Sequence, residues 1–172
     1  MNYRTVYDIS VEGFREWPYV IFSLVLFIVC AGLFVYLRRR RKSLISFYVV
    51  SVFSILVALV SCGMTYWDYT RLKNALEQKR CQVVEGDVEN YWSREVEYYE
   101  GSRRRSRTYE SFKVGGLLFG YYREVSAAGF TNRQKESFPI RDGLRMRIHY
   151  LSDQLLDSDG VDNRILRLEI KE

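Results

Sequence analysis

The chain has 172 residues, with 26 Lys or Arg against 21 Asp or Glu, a formal net charge of +5, three cysteines and one histidine. Residues 38–42 alone hold five positive charges, and the segment from Asp68 to Glu172 carries 19 basic against 18 acidic residues, so the broad basic footprint of a nucleic-acid binder is missing. Cys30 and Cys62 lie inside apolar runs and only Cys81 lies beyond them, which excludes a disulfide framework; Cys81 and His149 show no metal-ligand spacing, and no metal or cofactor is expected.

Residues 1–17 read as an N-terminal flank, and residues 18–67 as a helical hairpin. Pro18 to Leu37 is 20 residues long and Ser43 to Trp67 is 25, neither with a charge, and about 20 apolar helical residues cross a hydrocarbon core. A cleavable leader is disfavoured for the first run: Asp8, Glu12 and Glu16 precede it, and it ends in arginines where a small-residue cleavage site belongs. Both runs are expected to be transmembrane helices, joined by the basic turn Arg38, Arg39, Arg40, Arg41 and Lys42, a topology anchor and candidate contact for anionic membrane lipid. A cytoplasmic turn, with Trp17, Tyr19, Tyr66, Trp67 and Tyr69 as an outer aromatic belt, places the protein in the plasma (inner) membrane as a multi-pass chain with its C-terminal domain extracytoplasmic. On the second helix Ser51, Ser54, Ala58 and Ser61 recur at three- and four-residue spacing, a small-residue face suited to helix packing.

The helical period continues through 68–80 as a stalk, with Leu72 and Leu76 on one stripe. From Cys81 the period becomes two, and 81–172 reads as an all-β domain. Val84 to Val88 alternates, Glu95 to Tyr99 is β-prone, and Gly101 to Arg107 reads as an exposed hairpin loop. Its Arg103, Arg104, Arg105 and Arg107 are a candidate phosphate contact, since guanidinium groups grip phosphate bidentately, although short charged loops are ordinary hairpin ends. Phe112 and Val114, the Gly115-Gly116 turn and Leu117 to Tyr122 form a strand-turn-strand signature. Leu144, Met146, Ile148 and Tyr150 alternate strictly with Arg145, Arg147 and His149, and Ile165 to Ile170 supplies the last strand. The expected fold class is α+β: a two-helix transmembrane hairpin followed by a small antiparallel β-barrel or sandwich.

Three segments carry a resemblance: Val84-Glu85-Gly86-Asp87-Val88, Tyr109 to Phe119 around its double glycine, and Asp142 to Tyr150. Together with the apolar runs they resemble an uncharacterised bacterial family of membrane-anchored β-domains, a domain-of-unknown-function family with two transmembrane helices before a small barrel-like domain. That family often follows the tyrosine with aspartate-proline, where this chain has Leu151-Ser152. The resemblance implies a fold and a membrane location and no catalytic residue.

The function expected is that of a non-enzymatic, membrane-tethered binding or accessory module at the cell envelope, holding another membrane or envelope protein, a lipid or an envelope polymer. Its tyrosines suit contact surfaces. One alternative is an accessory subunit of a membrane complex docked through the serine face. A second is a membrane-bound hydrolase using His149 with Glu85, Asp87 and Glu89, unaccompanied by any nucleophile elbow, metal cluster or phosphate loop.

Overall fold

A computed structural model describes residues 2–14, 17–39, 45–123, 128–132, 138–152 and 163–171, and divides them between two units. One unit, Phe14–Tyr69, contains α2 (Trp17–Arg39) and most of α3 (Ile45–Glu77). The other joins Met1–Gly13 to Thr70–Glu172 and contains β1 (Tyr3–Asp8), the single turn α1 (Ile9–Glu12), the end of α3, β2 (Gln82–Glu100), β3 (Arg103–Val114), β4 (Leu117–Tyr122), β5 (Arg145–Ser152) and β6 (Asn163–Lys171).

Within the helical unit the chain doubles back, so that Cys62 Sγ lies 3.6 Å from Ser23 Oγ and the Phe14 ring meets Trp17, Tyr66 and Tyr69 edge-on. A groove of about 410 Å³ between α2 and α3 is lined by Leu24, Phe27, Cys30, Ile55, Leu59 and Cys62. The two uncharged runs therefore do form helices. Among the described residues, however, no helix is long and apolar enough to cross a membrane. A crossing helix needs about 20 consecutive apolar residues. α3 carries Asp68, Arg71, Lys73 and Glu77 in its last turns. The expected transmembrane hairpin and the multi-pass location in the plasma (inner) membrane are corrected accordingly.

The last two turns of α3 belong to the sheet unit, where Leu72 and Leu76 are buried. The helix ends in a Schellman arrangement: Arg80 N–H donates to the Ala75 carbonyl and Lys79 N–H to that of Leu76, with Lys79 in the left-handed region at φ 54°. That reversal delivers Cys81 to the start of β2.

The six strands form one antiparallel sheet in the order β1-β6-β5-β2-β3-β4. β2 changes partners along its length, pairing with β5 over Gln82–Asp87 and with β3 from Val88 to Glu100. The change falls at an irregularity between Glu89 and Trp92, where Asn90 takes φ 53° and Tyr91 N–H donates to Asp142 Oδ1 at 2.8 Å. Such a bulge bends a strand and increases its twist. The bend brings β4 towards β5, and Phe119 meets Tyr150 edge-on at 5.4 Å. Between the two layers lie Phe112, Phe119, Met146, Ile148, Leu166 and Leu168, all fully buried. Close approach also matters at the β3-β4 turn: a Cβ on Gly86 would stand 3.1 Å from Gly115 N, and one on Gly115, at φ 58°, would stand 2.6 Å from Val84 Cγ2. The valine-x-glycine-x-valine pattern is thus a seat for a turn.

Two sequence expectations change here. The sheet is open: β1 and β4 are its edges and do not pair with each other among the described residues, whereas a barrel requires the two edge strands to pair. The N-terminal flank supplies that strand: Tyr3–Asp8 pairs antiparallel with Arg167–Lys171, and Tyr7 and Ile9 enter the core.

Candidate functional site

The segment Gly101 to Arg107 is not a loop. β3 begins at Arg103, and only Gly101 and Ser102 turn the chain, with Gly101 at φ 64°. β5 stops pairing with β2 at Asp87 and β4 stops pairing with β3 at Tyr109, so beyond the Arg94–Tyr109 rung β2 and β3 form strand pairs only with each other among the described residues. They form a two-stranded arm based on the Trp92, Tyr109 and Tyr122 rings, whose successive centroids lie 5.4 and 4.9 Å apart.

Residues opposite each other on an antiparallel ladder share a face, and faces alternate along each strand. The rungs Arg94–Tyr109, Val96–Arg107 and Tyr98–Arg105, with Arg103 next in the alternation of β3, therefore place four arginines and two tyrosines on one face. The rungs Glu95–Thr108, Glu97–Ser106 and Tyr99–Arg104 place two acids and one arginine on the other. Contacts follow this division. The Arg107 guanidinium lies 4.0 Å from the Tyr98 ring centroid on the basic face, while Arg104 is ion-paired with Glu97 on the opposite face. The candidate set of Arg103, Arg104, Arg105 and Arg107 is thereby divided: Arg104 leaves it and Arg94 joins it. Arg94 is nine positions before Arg103, and only the strand register reveals their shared face.

The outer face of the other half-sheet carries a second set of polar groups. Glu85 accepts from Tyr3 Oη at 2.5 Å and from Arg147 Nη2 and Nε at 3.0 and 3.2 Å, with Arg145 Nη2 at 3.5 Å. The Tyr3 hydrogen bond, followed by that of Arg147, holds the Glu85 carboxyl below its usual range. Glu85 is an ionised, occupied group, which removes it as a proton donor near neutrality. Asp87 and Glu89 are exposed on the same strand. His149 instead faces Cys81, with Cys81 Sγ 3.9 Å from Nδ1. Burial pushes its pKa down; Glu169 and Asp8 oppose the shift and Arg167 and Arg147 add to it, and the net direction favours the neutral imidazole. In the register His149 stands between Val83 and Arg167, and Arg167 donates to Asp8 Oδ2 from Nε at 2.7 Å. Sequence spacing gave no sign of the Cys81–His149 pair.

A third cluster is internal. Glu110 is 2% exposed and accepts from Tyr121 Oη at 2.5 Å and from Asn132 Nδ2 at 3.3 Å, with Arg123 Nη1 at 3.6 Å. Asn132 also exchanges two hydrogen bonds with the Phe138 backbone. Burial, then the Glu110 carboxylate, drives the Tyr121 phenol far above its usual pKa. This cluster fastens Asn132, and through it Phe138, to β3 and β4.

The remaining candidates are less informative. Arg40, Arg41 and Lys42 lie outside the described residues; Arg38 and Arg39 belong to α2, but their side chains are not described, nor are those of Ser51, Ser54, Ala58 and Ser61 on α3. Among the described residues no group of His, Cys, Asp and Glu is arranged to hold a metal ion.

No protein family, curated protein or solved structure matches the chain. The likeness to an uncharacterised family of membrane-anchored β-domains is corrected on that ground, and also because the sheet is open and no described helix qualifies as a membrane span. Its three segments are a turn seat, a hairpin and an alternating strand, patterns that any antiparallel sheet needs.

Proposed function

We propose that the protein is a non-enzymatic binding module whose β2-β3 arm takes up an extended acidic segment of a partner protein. The observation that carries this reading is the gathering of Arg94, Arg103, Arg105 and Arg107 on one face of a two-stranded arm. Guanidinium groups bind carboxylates bidentately, and interleaved tyrosines add area at small entropic cost. Same-face residues on a strand recur about every 6.6 Å, twice the rise per residue. An extended peptide with acids at alternate positions repeats at the same interval. Added beside Arg103–Arg107 as a further strand, it would set each acid beside an arginine, the favourable cross-strand pairing, while its backbone paired with the edge of β3 that has no partner strand among the described residues.

A fluorescent peptide of alternating glutamate and threonine is the direct probe, titrated against the full chain by anisotropy. Replacing Arg94, Arg105 and Arg107 together by glutamine is expected to weaken binding on the order of tenfold or more, and added salt to weaken the wild-type complex. The pair Glu95→Gln and Glu97→Gln, on the opposite face, is expected to leave affinity unchanged or raise it. Equal affinity of the arginine-face variant and the wild type would refute the assignment.

A second reading, an accessory subunit of a larger assembly, is favoured by the helical unit. Phe22, Leu24, Val25, Leu56, Leu59 and Val60 are all exposed large apolar residues on the two helices, and large exposed apolar surface marks an interaction site. The occupant that fits is an apolar surface of another polypeptide chain. Sedimentation of the purified chain tests it: self-association is expected, and Leu24→Ser with Leu59→Ser is expected to reduce it. A monomeric wild type excludes a second copy of the chain as that occupant.

A further inference from the structure

The β2-β3 arm grows out of a row of rings on the outward face of β2, β3 and β4. The rungs Tyr109–Tyr122 and Ser111–Gly120 lie on that face, alternating with Glu110–Tyr121 and Phe112–Phe119, whose side chains are buried. Gly120 leaves room for the Tyr109 ring, because a Cβ on it would stand 2.7 Å from Tyr109 Cζ. Tyr109 thus leans across β4, with the Tyr122 ring at 4.9 Å and the Trp92 ring at 5.4 Å. Trp92, opposite Ser111 on the same face, is 46% exposed.

Register decides what meets this row. Tyr122 is opposite Tyr109, and Arg123 N–H donates to the Thr108 carbonyl at 2.8 Å. The first position of β3 that lacks a partner strand on that side, among the described residues, is therefore Arg107. β3 pairs antiparallel with both β2 and β4, and antiparallel pairing is the more stable kind per residue. A strand added in that sense continues the line of β4: its first residue falls opposite Arg107, its third opposite Arg105 and its fifth opposite Arg103, all on the outward face. The first position stands two residues along that line from Tyr122, about 6.6 Å, and diagonal to Tyr109, within reach of an aromatic side chain. The guanidinium beside it, that of Arg107, lies on the Tyr98 ring. Evenly spaced arginines read the same from either end, whereas the rings stand at one end only.

We infer that the partner's segment runs antiparallel to β3 and opens with an aromatic residue, seated against Tyr122 and Tyr109, ahead of acids two and four positions further on. The inference rests on the acidic-segment reading of the arm and adds a direction and an aromatic anchor to it.

Two labelled peptides of one composition, both acetylated and amidated so that no terminal charge enters, test it by anisotropy against the full chain. One reads tryptophan-threonine-glutamate-threonine-glutamate and the other is its reverse. The first is expected to bind on the order of fivefold more tightly, the worth of one aromatic pair. Trp92→Leu with Tyr122→Leu is expected to remove that preference while the alternating glutamate-threonine peptide binds as before. Equal affinity of the two peptides overturns the inference, and so does a preference that survives in the folded double variant; either result leaves the acidic-segment reading standing. If the alternating peptide also fails to bind, that reading falls and the inference with it. Oligothymidylate displacing the first peptide at a lower concentration than the unlabelled peptide does overturns both, since rings beside cations also serve a single nucleic-acid strand. Should the double variant fail to fold, the comparison of the two peptides on the wild type still decides the matter.

Discussion

Replacing Ile9 by alanine is expected to lower the stability of the sheet unit by about 3 kcal/mol, the usual loss for deleting a buried isoleucine side chain and leaving its cavity. Ile9 is 2% exposed although it follows an edge strand. Three contacts hold the strand there: the Tyr7 ring lies edge-on to Phe130 at 5.4 Å, Asp8 caps α1 by accepting from Ser10 N–H at 2.8 Å, and the same carboxylate binds Arg167. Val11, two residues further on and 83% exposed, is the internal control; Val11→Ala is expected to change stability by less than about 0.5 kcal/mol. Urea titration followed by far-ultraviolet circular dichroism, with amide exchange along β6, measures both. Equal stabilities for the two variants would mean that β1 is an ornament on a five-stranded sheet and not part of its core.

That strand shows where the limits of the sequence lie. Tyr3, Thr5, Val6 and Tyr7 are residues that strands favour, but six residues beside a long apolar run carry no local mark of a partner 160 positions away. Pairing across that distance is a property of the closed core, not of either segment. Where one face of a strand is buried and the other wet, legibility was high: the alternation of Leu144 to Tyr150 places Met146, Ile148 and Tyr150 inside and Arg145, Arg147 and His149 outside. The arm failed the same test for a physical reason. Both of its faces meet solvent, so its sequence has no apolar alternation to display, and a charged run resembles a loop. The same absence hid the division of its arginines, since face membership depends on register and the turn of two residues fixes it. The apolar runs were legible as helices but misleading about their setting, because lack of charge constrains what may touch a helix without naming it.

The largest polar effect is expected at Glu110. Substitution by alanine deletes an acceptor of two buried donors, Tyr121 Oη, which is left unsatisfied, and Asn132 Nδ2, which keeps its bond to the Phe138 carbonyl; each buried hydrogen bond lost in this way costs about 1–3 kcal/mol. A loss of about 2–5 kcal/mol follows once partial relaxation is allowed. Arg123 contributes little to this figure, because its side chain is 40% exposed at 3.6 Å and water screens the pair. Glu110→Gln separates hydrogen bonding from charge. The amide oxygen of glutamine accepts from both donors, so this variant is expected to retain most of the stability that alanine loses. Asn132 transmits the difference outward: it holds the backbone of Phe138 through two hydrogen bonds, and Phe130 N–H is bonded to the Ile165 carbonyl. Losing Glu110 therefore frees the chain around residues 128–132 from β3 as well as weakening the core. Urea titration of the two variants, with limited proteolysis between Gly129 and Ile140, gives both readouts. Were glutamine as damaging as alanine, the negative charge rather than the accepted hydrogen bonds would hold the cluster together, and Arg123 would then be its anchor.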